Sequence, residues 1–107
     1  MSQVKIGATD SGRTVQVNAG DTVVIELAEN IATGYGWEFE ELPAGPVALV
    51  ESTSQAPERA MMGAPGRRVI RLQARSSGVA VVTLRLRRPW EPPTESADRF
   101  EIRVTVS

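Results

Sequence analysis

Three short stretches of this chain hold residue types suited to gripping another protein. In Arg87-Arg-Pro-Trp-Glu-Pro-Pro93, Pro89 restricts Arg88 to extended backbone and the Pro92-Pro93 pair stiffens the exit, so Trp90 is presented on a rigid stalk. Arg and Trp are the types most enriched among binding hot spots, and a preorganised loop loses less entropy on docking. The competing reading makes Trp90 a cap on the end of the core. In Glu29-Asn-Ile-Ala-Thr-Gly-Tyr-Gly-Trp37, two glycines flank Tyr35, while Asn30 and Thr33 can hydrogen-bond neighbouring backbone and hold a fixed turn. In Met61-Met-Gly-Ala-Pro-Gly-Arg67, the methionines adapt to irregular surfaces, and Gly63 and Gly66 permit close backbone approach.

Catalytic chemistry finds less support. Cys and His are both absent, which excludes thiol and Ser-His nucleophiles, disulfides, and zinc sites built on Cys or His. Glu38 and Glu40 sit two apart on one strand face, about 7 Å along it, a spacing that invites a glycosidase reading. Outward Arg85 and Arg87 on a neighbouring strand account for both carboxylates as cross-strand pairs worth at most about 1 kcal/mol each. No metal or organic cofactor is indicated. The net charge of −1 is unevenly spread: residues 1–58 hold two cations against nine carboxylates, and residues 59–107 hold ten against four. With five aromatic residues and no Lys/Arg run longer than two, this asymmetry fits strand-face ion pairs and argues against a nucleic-acid partner. No apolar run approaches the roughly 18 residues of a membrane span, so no membrane partner is expected. Met1-Ser-Gln-Val-Lys5 lacks the apolar stretch of a secretory signal; the expected form is cytoplasmic, or a trimmed mature exported one.

The elements that must position these stretches are strands. A chain of 107 residues and 11.5 kDa makes one domain spanning 1–107. Apolar residues alternate with period two, and Val (13) outnumbers Leu (6), as in strand-rich chains. The clearest strand is 100–106, with Phe100, Ile102, Val104 and Val106 on one face. Strands are also expected at 79–87, 69–74, 47–51, 36–40 and 22–27, plus a first strand made of 4–6 and 14–17 and broken at Asp10-Ser-Gly12. Trp37 and Phe39 belong to the core. Seven short strands separated by turn signals specify an all-β fold, an immunoglobulin-like antiparallel β-sandwich, with a small barrel as the alternative. If successive strands run antiparallel, the loops at roughly 28–35, 52–68 and 88–98 all fall at one end of the molecule. Those loops contain the three stretches, so one end is built for contact.

Taken together, the stretches resemble the chagasin-like inhibitors of papain-type cysteine peptidases, immunoglobulin-like sandwiches that carry N-P-T-T-G-[YF], G-x-G-G and R-P-W on successive loops. The matching segments here are Asn30-Ile-Ala-Thr-Gly-Tyr35, Gly63-Ala-Pro-Gly66 and Arg88-Pro-Trp90. Ile31 stands for the family proline, Ala32 for the first threonine, and Pro65 interrupts the double glycine. The resemblance implies a wedge in which the three loops occlude the active-site cleft of a papain-like cysteine peptidase and no bond is cut. Asn30 would brace the first loop, Ile31, Ala32 and Thr33 would cover the catalytic centre, and Gly34 would let backbone approach closely. Tyr35 would be structural. Met62, Gly63, Ala64, Pro65 and Gly66 would lie along one side of the cleft, with Met61 as a further apolar contact. Arg88 would supply charged hydrogen bonds on the other side, where Trp90 would stack on an aromatic wall and Pro89 would set their direction. A monomer is expected, because self-association through the loop end would mask the site. The alternatives are a non-inhibitory immunoglobulin-like binding module and, last, a carboxylate enzyme using Glu38 and Glu40.

Overall fold

The computed structural model describes residues 2–29, 34–41, 43–55, 66–91 and 98–107. Eight strands follow in order: β1 (Gln3–Gly7), β2 (Thr14–Val17), β3 (Thr22–Glu29), β4 (Gly36–Phe39), β5 (Val47–Gln55), β6 (Gly66–Ala74), β7 (Gly78–Arg87) and β8 (Asp98–Val106). They form two four-stranded sheets, β1-β3-β6-β5 and β2-β8-β7-β4.

The alternation read from the sequence sets which side chains meet between the sheets. Val23, Ile25 and Leu27 of β3 and Ile70, Leu72 and Ala74 of β6 face Ala80, Val82 and Leu84 of β7 and Phe100, Ile102, Val104 and Val106 of β8 in one buried cluster. Trp37 and Phe39 pack against that cluster from its edge, half-buried. The buried Val, Leu, Ile and Phe side chains of this cluster each contribute roughly 1.5–3 kcal/mol relative to exposure.

Two features depart from the expected all-antiparallel, seven-strand arrangement. The first strand is split into β1 and β2, which join different sheets and lie parallel to β3 and β8. The break is made where Asp10 was placed in a turn: its carboxylate accepts the Gly7 N–H at 2.9 Å and its carbonyl accepts the Arg13 N–H at 3.0 Å. Parallel neighbours arise because each half adds to a sheet edge instead of turning back on the strand before it. The other departure is length. β5 runs to Gln55 and β6 starts at Gly66, because Ser52, Thr53, Ser54 and Gln55 continue the ladder past a bulge between Leu49 and Glu51. A polar edge strand of this kind carries no apolar alternation by which to recognise it.

The register confirms the parity argument. Glu29 pairs with Gly66, Gln55 with Arg67, Gly36 with Arg87 and Leu86 with Asp98. The roots of all three long loops therefore stand at one end of the sandwich. The opposite end carries short turns, such as Arg75-Ser-Ser-Gly78 between β6 and β7.

Candidate functional site

The third loop leaves β7 through a tight turn. The Glu91 N–H donates to the Arg88 carbonyl at 3.1 Å, with Pro89 in the second position, where its fixed φ suits a turn. The guanidinium of Arg87 holds this turn from below, donating to the Glu91 carbonyl at 2.7 Å and to the Pro89 carbonyl at 3.4 Å. Its other arm reaches Glu38 on β4 at 3.1 Å, which ties the third loop to the strand leaving the first. Arg87 Nε, although buried, has no hydrogen-bond partner among the described residues.

Trp90 rides on that turn and is 70% exposed. This decides between the two readings of the residue: it does not cap the core. One patch of its ring lies over Gly34, where a Cβ would run into the six-membered ring. Gly34 also has φ +83°, a left-handed backbone that only glycine adopts without strain. The guanidinium of Arg88 sits 4.2 Å from the centroid of Tyr35 and 5.9 Å from that of Trp90. Cation–π attraction thus links the first and third loops, while Glu91, 3.5 Å from Arg88, balances the charge. Tyr35 is the platform on which Arg88 rests.

The roots of the first and second loops are joined through Glu29, the last residue of β3, which is 2% exposed. It continues the inward parity of Val23, Ile25 and Leu27, so a carboxylate occupies the rung where the apolar core ends. One oxygen accepts the Trp37 N–H at 2.9 Å and Arg68 Nε at 3.1 Å. The other accepts the Ser54 hydroxyl and an Arg68 terminal nitrogen at 3.2 Å. Burial alone would raise the pKa of this carboxyl, but the bonds from Ser54, Trp37 and Arg68 outweigh it and hold the group below its ordinary value. Trp37 Nε1 closes the first loop a second time, donating to the Ala28 carbonyl at 2.8 Å. Gly66 meets the Gln55 carbonyl so closely that a Cβ would collide with it. A cleft of about 290 Å³ separates the roots, lined by Tyr35, Arg68, Arg87 and Pro89 among others.

Of the residues singled out from the sequence, the structure brings Gly34, Arg88, Pro89 and Trp90 together and places Gly66 at the root of the second loop. Asn30, Ile31, Ala32, Thr33, Met61, Met62, Gly63, Ala64 and Pro65 lie outside the described residues. Glu38 and Glu40 do not form a catalytic pair. Glu38 binds Arg85 at 2.9 Å and Arg87 at 3.1 Å, as expected. Glu40 instead binds Arg99 at 2.8 Å. β4 ends at Phe39 and the Glu40 N–H bonds the Thr83 carbonyl, so this carboxylate has passed Arg85 and meets Arg99, the cross-strand partner of Arg85 on β8. Sequence reasoning missed Glu29, Ser54 and Arg68 as a framework for the loops. Their signal was opposite charges at core-facing parity, Glu29 two past Leu27 and Arg68 two before Ile70.

A family model for the Chagasin family peptidase inhibitor I42 matches residues 16–104. The chain belongs to the chagasin family of peptidase inhibitors. Chagasin of Trypanosoma cruzi is 30% identical over 102 residues, covering 92% of this chain and 93% of its own. The crystal structure of the cysteine protease inhibitor EhICP2 from Entamoeba histolytica superposes with a TM-score of 0.90 at 27% identity, covering all of this family member and 97% of that chain. The fold also matches PbICP-C, solved in complex with falcipain-2, with a TM-score of 0.70 at 20% identity and full coverage of both chains.

Proposed function

We propose that this protein inhibits papain-family cysteine peptidases reversibly, by setting its three loops across the active-site cleft as a wedge. Membership of a family of peptidase inhibitors makes it an inhibitor and not an enzyme, and a papain-like cysteine peptidase is its partner. The observation that carries the loop-end mechanism is Trp90, which is 70% exposed on a turn pinned by Arg87 and backed by Gly34 and Tyr35. An exposed indole held in one orientation has lost most of its freedom before docking, so its burial against a partner is gained at little entropic cost.

In this reading the first loop enters the cleft, with Ile31, Ala32 and Thr33 over the catalytic cysteine and Asn30 bracing them. The second loop, Met62 to Gly66, and the third, Arg88 to Trp90, hold the cleft walls on either side. A wedge of this kind fills a groove without offering an extended strand for cleavage.

The test is a titration of papain and a cathepsin L-type enzyme with the wild-type protein and with Trp90→Ala and Thr33→Ala variants. Stoichiometric, reversible inhibition is expected, weakened at least tenfold in Trp90→Ala, about 1.4 kcal/mol. Full peptidase activity in the presence of micromolar folded protein would overturn the proposal in favour of a binding module for another partner.

A further inference from the structure

We propose that Glu29 is a positioning residue for inhibition: its buried carboxylate locks the roots of the first two loops into one mount, and so sets how all three loops meet the peptidase. This rests on the inhibitory reading above and goes beyond the residues that face the partner.

Apolar residues fill the rungs of β3 below this one, and a leucine would continue the core at no desolvation cost. Replacing a buried ion pair by well-packed apolar residues is often neutral or stabilising, so stability alone does not account for a charge here. What the carboxylate supplies is directional bonding. It receives the Trp37 N–H at the exit of the first loop, the Ser54 hydroxyl at the entry of the second, and Nε and one terminal nitrogen of Arg68 at the exit of the second. These donors come from three strands in both sheets. Arg68 extends the same network, its remaining terminal nitrogen donating to the Ser52 hydroxyl at 3.3 Å, but Glu29 is the acceptor on which the donors from both loop roots converge. Trp37 is next to Glu38, which holds Arg87 and with it the turn carrying Trp90. A shift of β4 after loss of the Glu29 bonds is therefore passed to the third loop as well.

A mount of this kind acts on the fraction of molecules whose loops are already arranged for docking, and apparent affinity scales with that fraction. The kinetic signature is slower association, whereas loss of a direct contact such as Trp90 appears chiefly as faster dissociation.

The experiment compares wild type, Glu29→Gln and Ser54→Ala in two measurements: association and dissociation rates with papain, and amide hydrogen exchange of the inhibitor alone. In Glu29→Gln, association is expected to slow at least tenfold with dissociation within threefold. The amides of Trp37 and Arg68 are expected to exchange at least tenfold faster while those of β8 keep their protection. Ser54→Ala removes one donor without disturbing the charge and is expected to shift both readouts in the same direction by less; it carries the test if Glu29→Gln does not fold. Wild-type association rates in the variants, or exchange accelerated equally in β8 and the loop roots, would overturn the proposal. Failure of the wild type to inhibit papain would remove the inhibitory reading, and the exchange comparison, which uses no peptidase, would still decide whether Glu29 holds the roots together.

Discussion

Two buried carboxylates mark the ends of strand β3, and they are satisfied in different ways. Asp21, just before the strand, accepts backbone N–H groups from Asn18 at 2.8 Å and Ser2 at 2.9 Å. The Asn18 bond, then that from Ser2, hold its pKa below the ordinary value against the opposing effect of burial. It closes a tight local turn and pins the first residues of the chain. Glu29, at the other end, accepts one backbone N–H, from Trp37 across its own loop, and draws its side-chain partners from Ser54 and Arg68, 25 and 39 residues away. The difference follows from what each end contains. Asp21 is satisfied by backbone donors alone, whereas Glu29 adds side-chain donors from two other strands and so fastens two loop roots to one another.

This comparison can be broken by removing each carboxylate in turn. The largest effect is expected for Glu29→Ala, which takes the shared acceptor from Arg68 Nε and one of its terminal nitrogens, the Ser54 hydroxyl and the Trp37 N–H at a buried rung. A loss of about 3 kcal/mol, read from urea unfolding at neutral pH, is the low end for breaking a buried pair, because the Arg68 side chain keeps 23% of its surface exposed. Asp21→Asn retains an oxygen acceptor for backbone N–H groups and is expected to cost less in the same assay; an equal or larger cost would erase the distinction between the two ends.

Gly34→Ala tests the link between the first and third loops. The added methyl meets the Trp90 ring at φ +83°, and the backbone strain alone costs on the order of 1–2 kcal/mol. Weaker papain inhibition with intact core exchange protection is the expected outcome. Unchanged inhibition would mean that the contact between Gly34 and Trp90 is not part of the docking geometry.

The pH dependence sharpens the comparison further. The folded pKa of Glu29 lies below its ordinary 4.5 and that of Asp21 below its ordinary 3.8, so each carboxylate contributes stability that is present above its ordinary value and lost as pH falls through the folded value. Arg68 is the cation facing Glu29, and Glu38 and Arg87 line the same cleft. Unfolding free energy is expected to be flat from neutral pH down to about 5, then to fall. The fall should be shallower in Glu29→Gln, in which this position no longer titrates; a slope identical to wild type would remove Glu29 from the acid response. The smallest effect is expected for Glu38→Gln. Its side chain is 39% exposed, and water-screened pairs of this kind contribute about 1 kcal/mol or less.

Much of the architecture was legible in the chain because a β-sandwich needs only alternation and punctuation. Phe100, Ile102, Val104 and Val106 announce β8 by themselves, Val23, Ile25 and Leu27 announce β3, and strand parity places the three loops at one end before any coordinate is known. The polar edge residues Ser52 to Gln55 carried no such pattern, and their pairing with β6 was invisible in the sequence.

At the site, the sequence alone indicated a stiffened Arg88-Pro89-Trp90 stretch and close backbone approach at Gly34 and Gly66, since proline and glycine impose their constraints locally. Only the tertiary structure decided that Trp90 stands exposed over Gly34, that Arg88 lies between two aromatic rings, that Glu40 passes Arg85 for Arg99, and that Glu29 fastens two loops together. The pairing of strands distant in sequence sets those contacts, and no local preference encodes it.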